Sequence, residues 1–327
     1  MRKLLKLFII LFLIVNTILY ILIGLILYYK DTFARRAVNE AVRDRFPNAL
    51  LNVESVIYKL PDRLIISNME INNTSDWGRL HFSSIEIELE LDRIKKAMEL
   101  SDTLMLIKRI SAQMNTFSHN ALRLQTIDIN ILLDGSRDTH VSGSLSIQSI
   151  TYKEIVLKNV YCDYRFFNHN LSVTLNRLIF AGGTGYGIFE ADFRDNSLVY
   201  KSDFYLNDMR AADIFTILKL DNKLKATGLW NGRLSIGGTN NTLTQVDGKL
   251  TARSPGGTLN IQDKNMVANM LPSDERLNKN IMESVLYYTY NEGDMNISLE
   301  DDSILCDLSL EGETGKRNIS IYLHNLF

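Results

Sequence analysis

The sequence predicts a mainly β protein attached to a membrane by one N-terminal transmembrane helix. Three observations support this fold class. An almost unbroken apolar segment lies near the N-terminus, most later segments alternate apolar and polar residues with a period of two, and no long helical pattern separates consecutive strands. Because parallel strands need long crossover connections, the short turns predict an antiparallel sheet with a few short capping helices.

The membrane helix is predicted at residues 7–28, within a first region of residues 1–30. About 20 apolar residues, rising ~1.5 Å each, cross the ~30 Å hydrocarbon layer of a bilayer. The run is longer than the apolar core of a cleaved signal peptide, so we expect an uncleaved signal anchor. Arg2, Lys3 and Lys6 precede it, which favours a cytoplasmic N-terminus, although Lys30, Arg35 and Arg36 follow it. The β-rich remainder with few cysteines fits export, so the bulk of the chain is predicted to be periplasmic.

A second region, residues 31–120, is predicted to combine helices with the first strands. Asp31–Arg45 has helical spacing, with an apolar face consisting of Phe33, Ala37, Ala41 and Val42. Strands are predicted at Asn52–Tyr58, Arg63–Ile71 and Arg79–Asp92. From Asp92 to Phe117 the apolar residues recur near helical spacing, which predicts one or two short helices.

The third region, residues 121–327, is predicted to be a run of short strands. Their predicted positions are Leu124–Leu133, Val141–Ser149, Ile155–Phe166, Leu171–Phe180, Gly185–Phe193, Ser197–Leu206, Thr227–Ile236, Gln245–Ala252, Thr258–Gln262, Asp294–Leu299, Ile304–Glu311 and Asn318–His324. Two helices are predicted to interrupt them, at Asp208–Leu220 and Asp263–Thr289. Consecutive strands joined by short turns favour an antiparallel meander.

Composition and motifs argue against an enzyme and against nucleic-acid binding. The net charge is -2, so no global positive potential attracts nucleic acid. The five histidines are dispersed and no catalytic constellation is found, so neither a metal nor another cofactor is predicted. Cys162 and Cys306 are predicted as buried strand thiols, and a disulfide between them stays open for an oxidising compartment.

Several predicted strands are strongly apolar on one side. That side is either the filled core of a sandwich or barrel, or the lining of a groove in a sheet that does not close, and periodicity alone does not separate the two. If the sheet is open, the residues predicted to line the groove are Ile129, Ile131, Leu133, Val160, Tyr164, Phe166, Val173, Leu175, Phe189, Phe193, Phe204 and Leu206.

Two stretches near the C-terminus carry a family resemblance. Leu224–Ile236 reads LKATGLWNGRLSI, and Val246–Leu259 reads VDGKLTARSPGGTL. Both resemble the C-terminal region of YdbH-like proteins, members of the AsmA-like family to which TamB also belongs. Ser235 stands where the family commonly has proline, and Ser254 where it has glycine. Val285–Asn291 and the final strand resemble the closing segment of the same family.

The resemblance implies an elongated, curved and open β-groove, anchored in the bacterial inner membrane and passing phospholipids toward the outer membrane. It thereby implies a part in envelope lipid homeostasis and outer-membrane biogenesis. It also implies that a partner adds to the C-terminal edge strand, residues 318–323, either an outer-membrane lipoprotein or a second copy of the chain. The alternative is a non-conducting scaffold for envelope or outer-membrane protein assembly, with the same sheet fully packed.

Overall fold

The computed structural model describes residues 29–40, 43, 50–59, 61–73, 78–90, 92, 106–133, 140–153, 155–194, 197–240, 242–262, 286–301 and 303–323. The predicted membrane helix, residues 7–28, lies outside this part of the chain. Among the helices that are described, none is both long enough and apolar enough to cross a membrane. The chain divides into two compact units, Met1–His119 and Asn120–Phe327.

The first unit contains one helix and an antiparallel sheet. Helix α1 covers residues 29–40, and the strands are β1 (Leu50–Lys59), β2 (Arg63–Asn73), β3 (Gly78–Leu89) and β4 (Ile107–His119). They pair in sequence order, each antiparallel to the next. Its buried core consists of Val53, Val56, Ile66, Met69, Ile71 and Ile85.

The inward face of α1 differs from the predicted one. Ala34 and Val38 pack against the core, whereas Phe33 is 68% exposed and Ala37 is also exposed. In this orientation, polar side chains of the helix also bind the backbone of β1. The amide of Tyr58 donates to Asp31 Oδ1 over 2.8 Å, and Arg35 donates to the Val53 carbonyl over 2.9 Å.

The short helices predicted up to Phe117 are wrong over their second half, because residues 107–119 form β4. The inward-facing residues of this strand include Ile107, Ile110, Ala112 and Met114. The register between β3 and β4 shifts at several points, so the inward positions are spaced by three as well as by two. Irregular strand spacing of this kind imitates a helical period.

The second unit is a larger antiparallel meander. Its strands are β5 (Leu122–Leu133), β6 (Val141–Tyr152), β7 (Ile155–Phe167), β8 (Asn170–Phe180), β9 (Gly183–Asp192), β10 (Val199–Arg210), β11 (Leu224–Ala226), β12 (Leu229–Thr239), β13 (Thr242–Ala252), β14 (Gly257–Ile261), β15 (Tyr287–Tyr290), β16 (Glu292–Glu300), β17 (Ser303–Gly312) and β18 (Gly315–Leu323). The order β5-β6-β7-β8-β9-β10-β12-β13-β16-β17-β18 confirms the mainly β, antiparallel prediction.

Three short strands leave the meander and form a second layer. They are β11, β14 and β15, which pair in the order β11-β14-β15. Helix α2, Ala211–Ile217, is shorter than the predicted Asp208–Leu220 because β10 continues to Arg210. The helix predicted at Asp263–Thr289 lies outside the described residues up to residue 285, and its end is strand β15 rather than helix.

The strands of the second unit bend at a common level. Thr126 in β5 and Asn159 in β7 have positive φ values of 47° and 50°, and Asp208 in β10 has 56°. The ladder between β8 and β9 shifts register at the same level. Residues of this kind act as bulges, which bend a strand and increase its twist. The sheet therefore curves about a line that crosses its strands.

Candidate functional site, an apolar trough

The inner face of β5–β10, called the trough here, brings most of the predicted groove residues together. In antiparallel strands, directly opposite residues point to the same face. One row of opposite residues consists of Ile131, Gly143, Tyr164, Val173 and Phe189. The next consists of Ile129, Leu145, Cys162, Leu175, Gly187 and Phe204. The third consists of Leu133, Val141, Phe166, Leu171, Ala191 and Tyr200.

The deepest residues of the trough lie beside the bend. Ile127, Ile147, Val160 and Leu178 are only 4%, 5%, 7% and 6% exposed. Ile127 and Val160 follow the positive-φ residues of β5 and β7, Ile147 is paired with both, and Leu178 lies at the register shift between β8 and β9. The residues of the three rows are mostly half-buried instead. Only the small residues of the rows, Cys162, Gly187 and Ala191, are buried. The larger side chains are therefore most buried beside the bend, as expected for the floor and one wall of a concave apolar surface.

Glycines let aromatic rings lie flat along this wall. The Tyr164 hydroxyl donates to the Asn130 carbonyl over 3.1 Å, and its oxygen would lie 2.8 Å from a Cβ added at Gly143. A Cβ at Gly187 would lie 2.8 Å from the Phe204 ring. Large side chains opposite glycines fill the gap that a missing side chain leaves in a sheet. The wall is therefore apolar across these strands except at Ser202, which is paired with Phe189 and whose hydroxyl donates to the Ile236 carbonyl over 3.2 Å.

Phe193 is the one predicted groove residue that no strand carries. It follows the end of β9 and is 43% exposed, while its ring lies 6.3 Å from that of Phe166. Its amide donates to the His169 carbonyl over 2.9 Å. Phe193 therefore extends the third row at the rim of the trough rather than lining its interior.

The outer face of the same strands is polar and charged. Asp203 accepts hydrogen bonds from the Ser235 hydroxyl and from the Arg233 guanidinium, and both lower the pKa of its carboxyl group below the ordinary value. The Arg233 guanidinium also lies 5.8 Å from the ring of Tyr205, which stacks on Tyr186 with 5.2 Å between centroids. This face is solvated and also carries exposed apolar side chains, including Leu132, Ile188 and Val199, so it is mixed in polarity, whereas the inner rows are almost entirely apolar.

At the C-terminal end the inner face is covered by the second layer. Helix α2 and strands β11, β14 and β15 pack on it in one buried cluster, whose least exposed members include Tyr290, Leu259, Leu308 and Leu310. Leu206, predicted to line the groove, belongs to this filled cluster. The predicted groove domain, residues 121–327, is therefore two-layered from β12 onward and single-layered over β5–β7 among its described residues, because Phe180 of β8 and Leu206 of β10 already contact the cluster.

Buried polar atoms tie the second layer in place. Trp230 Nε1 donates to the Tyr290 hydroxyl over 3.2 Å, and that hydroxyl donates to the Thr227 carbonyl over 2.6 Å. Burial raises the pKa of Tyr290. Because each of these groups has a partner in a dry environment, the contact between the layers is specific in geometry. The stretch that carries the family resemblance thus forms a filled end of the sheet.

Both cysteines are free and buried, on β7 and β17. Burial raises the pKa of each thiol, for Cys306 to about 11. The disulfide left open by the sequence is not formed in this structure. Within the described ranges, no three His, Cys, Asp or Glu side chains come together as metal ligands would.

Sequence reasoning missed the contribution of β6. Val141, Leu145 and Ile147 face the trough, with serines alternating on the outer face. The alternation of apolar residues with serines could have identified this inner face from the sequence. It also missed Ile127 on the floor, since the bulge at Thr126 shifts the inward positions of β5 from even to odd numbers.

This geometry defines the second unit as a curved antiparallel sheet whose apolar inner face is half-buried over β5–β7 and covered by a second layer from β12 onward. Comparison with protein-family models, curated proteins and solved structures gives no match to the chain.

Proposed function

We propose that the trough binds the acyl chains of phospholipids. The observation that supports this proposal is the set of three apolar rows on β5–β10, half-buried and without a second layer over β5–β7 among the described residues. Apolar faces of this extent are normally covered in soluble proteins. A hydrocarbon chain lying along the rows would cover this one.

The trough has room for one acyl chain along its length. From β5 to β10 there are five strand spacings of ~4.8 Å, or about 24 Å. Half of a bilayer's ~30 Å hydrocarbon layer, about 15 Å, is the depth that one lipid's chains occupy. The rows are therefore longer than one acyl chain, so the acyl chain fits along them while its headgroup stays at the solvated rim.

The binding energy suits exchange with a membrane. Removing a methylene from water is worth ~0.8 kcal/mol, so covering about ten of them gives on the order of 8 kcal/mol relative to water. Relative to a bilayer, where the chain is already dry, the gain is close to zero. A half-open trough thus accepts a lipid from a membrane and releases it to another membrane.

In this proposal the protein is held in a bacterial inner membrane by residues 7–28 and acts in the periplasm. The trough carries phospholipid toward the outer membrane and contributes to envelope lipid homeostasis. The family resemblance supports this setting, and the apolar rows support the choice of cargo.

A partner is proposed at the C-terminal edge. Among the described strands β18 pairs with β17 alone, and Tyr322 on it is 54% exposed. The strand begins at Gly315, earlier than predicted, and so includes Lys316 and Arg317. Charged residues on an edge strand oppose indiscriminate pairing. The uncharged segment 318–323 is the proposed site for an added strand, from an outer-membrane lipoprotein or a second copy.

Site-specific photocrosslinking tests lipid binding. A benzophenone amino acid is placed at Ile131, in the first row, or at the neighbouring Asn130, which is exposed on the opposite face. The full chain is expressed in bacterial membranes, irradiated, purified and analysed by mass spectrometry for covalent phospholipid.

We expect lipid adducts at Ile131 and none at Asn130. Equal adducts at both positions would indicate non-specific contact with detergent or membrane and would contradict the proposal. No adduct at Ile131 or at the other row positions would instead favour the scaffold function.

A further inference from the structure

Helix α1 runs antiparallel to β1. Near its N-terminus, Lys30 and Asp31 bind the backbone of Tyr58, close to the end of β1. One turn later, Arg35 binds the carbonyl of Val53, nearer the start of the strand. The first residues of α1 therefore lie beside the turn that joins β1 to β2.

The outer side of α1 carries aromatic residues at the same end. Tyr29 is 46% exposed, and Phe33, one turn further along, is 68% exposed. The more distant part of this side carries the exposed Arg36–Glu40 ion pair instead. Tyrosine concentrates at the membrane–water interface because it joins an apolar ring to a polar hydroxyl. An exposed phenylalanine beside it gains free energy by burying its ring at the boundary of headgroups and acyl chains.

Chain continuity places this end of the helix next to the bilayer. The predicted membrane span ends at residue 28, immediately before Tyr29. We infer that Phe33 contacts the headgroup region of the bilayer and that the β1–β2 turn is the membrane-proximal end of the first unit. The partner of this surface is a phospholipid bilayer, and the inference rests on the predicted span rather than on lipid binding in the trough.

The two ends of β1 provide the test. Leu50 and Lys59 are exposed residues at opposite ends of this 10-residue strand. At ~3.3 Å per residue they lie about 30 Å apart. If the β1–β2 turn is proximal, Lys59 lies near the headgroups, whereas Leu50 lies well out in the aqueous phase.

The experiment uses the full chain reconstituted in phosphatidylethanolamine–phosphatidylglycerol vesicles. Single Lys59→Cys, Leu50→Cys and Phe33→Cys variants are labelled with a fluorescent maleimide. The unsubstituted chain is the blank, because its Cys162 and Cys306 are both buried and should not react with the label. Quenching is measured with lipids that carry a nitroxide on the headgroup and with aqueous iodide. Flotation of the vesicles verifies attachment of the chain.

We expect the headgroup nitroxide to quench the labels at Phe33 and Lys59 at least threefold more than the label at Leu50, with iodide giving the opposite order. Equal quenching at Lys59 and Leu50, or stronger quenching at Leu50, would overturn the proposed orientation. A chain that does not float with vesicles would overturn it as well. Either failure leaves the crosslinking result at Ile131 unaffected, so the two proposals are tested separately.

Discussion

Replacing Phe189 by aspartate separates a lipid-lined trough from a filled core. Phe189 lies in the first row on β9, is half-buried, and stacks on Tyr200 with 6.3 Å between centroids. Its neighbour Ile188 points to the outer face and is 50% exposed. Ile188→Asp is therefore a control that adds the same charge to the same strand on the opposite side of the sheet.

The size of the effect follows from exposed area. A phenylalanine buries at least ~150 Å² when fully covered, and a half-buried ring leaves roughly a third of that, about 50 Å², for a bound chain. At ~25 cal/mol per Å² this contact is worth about 1.3 kcal/mol, or close to a tenfold change in affinity. The aspartate adds the cost of a charge beside hydrocarbon, so tenfold is a lower bound.

The assay is co-purification of phospholipid with the full chain, quantified by native mass spectrometry at equal protein. We expect Phe189→Asp to retain at most a tenth of the lipid while its denaturation midpoint stays close to that of the parent, and Ile188→Asp to retain all of it. Unfolding of the Phe189→Asp protein, with Ile188→Asp intact, would mean that the inner face is packed by the protein itself and would refute the trough.

Three further predictions follow from the packing and the backbone. Leu308→Ala, in the filled cluster, should lower the free energy of unfolding by about 2–5 kcal/mol in urea denaturation. Thr126→Gly should be neutral or stabilising because it relieves a left-handed residue, whereas Thr174→Gly, in a regular exposed part of β8, should cost ~1 kcal/mol; an equal loss in both would contradict the bulge. Cys162 and Cys306 should not react with Ellman's reagent at pH 8 until the chain unfolds, and because the neutral Cys306 thiol is favoured in the fold, stability should fall as pH rises from about 9 towards about 11.

The strand content was predictable because alternation is strong where one face is apolar and the other charged. In β5 the series Ile129, Ile131 and Leu133 alternates with polar or exposed positions, and the structure places all three on the inner face. Alternation fixes which residues share a face, since the side-chain period of a strand is two. It does not reveal what covers that face.

The filled end was not predictable for that reason. Leu206 and Leu175 lie on the same inner face, yet only Leu206 belongs to the buried cluster under the second layer. That cluster includes Tyr288 and Tyr290, more than 80 residues further along the chain, in a short strand most of which the sequence predicts as helix. Local periodicity carries no information about packing between such distant segments.

The bend also escaped prediction, because each bulge displaces the pattern by one residue. Ile127 and Val160 lie three positions after the preceding inward-facing residue instead of two, although both face inward. A shift of phase within one continuous apolar pattern is therefore the sequence signal for a bulge rather than for a helix or a strand end.

The hairpins β5–β6, β7–β8 and β9–β10 each contain one residue with positive φ at the bend, in β5, β7 and β10. Curvature is therefore a property of each hairpin and not of the sheet as a whole. Duplicating or deleting one hairpin would change the length of the trough by two strand spacings, about 10 Å, and leave its cross-section unaltered. The trough can therefore be lengthened or shortened by gain or loss of repeated genetic segments, with no need to redesign its lining.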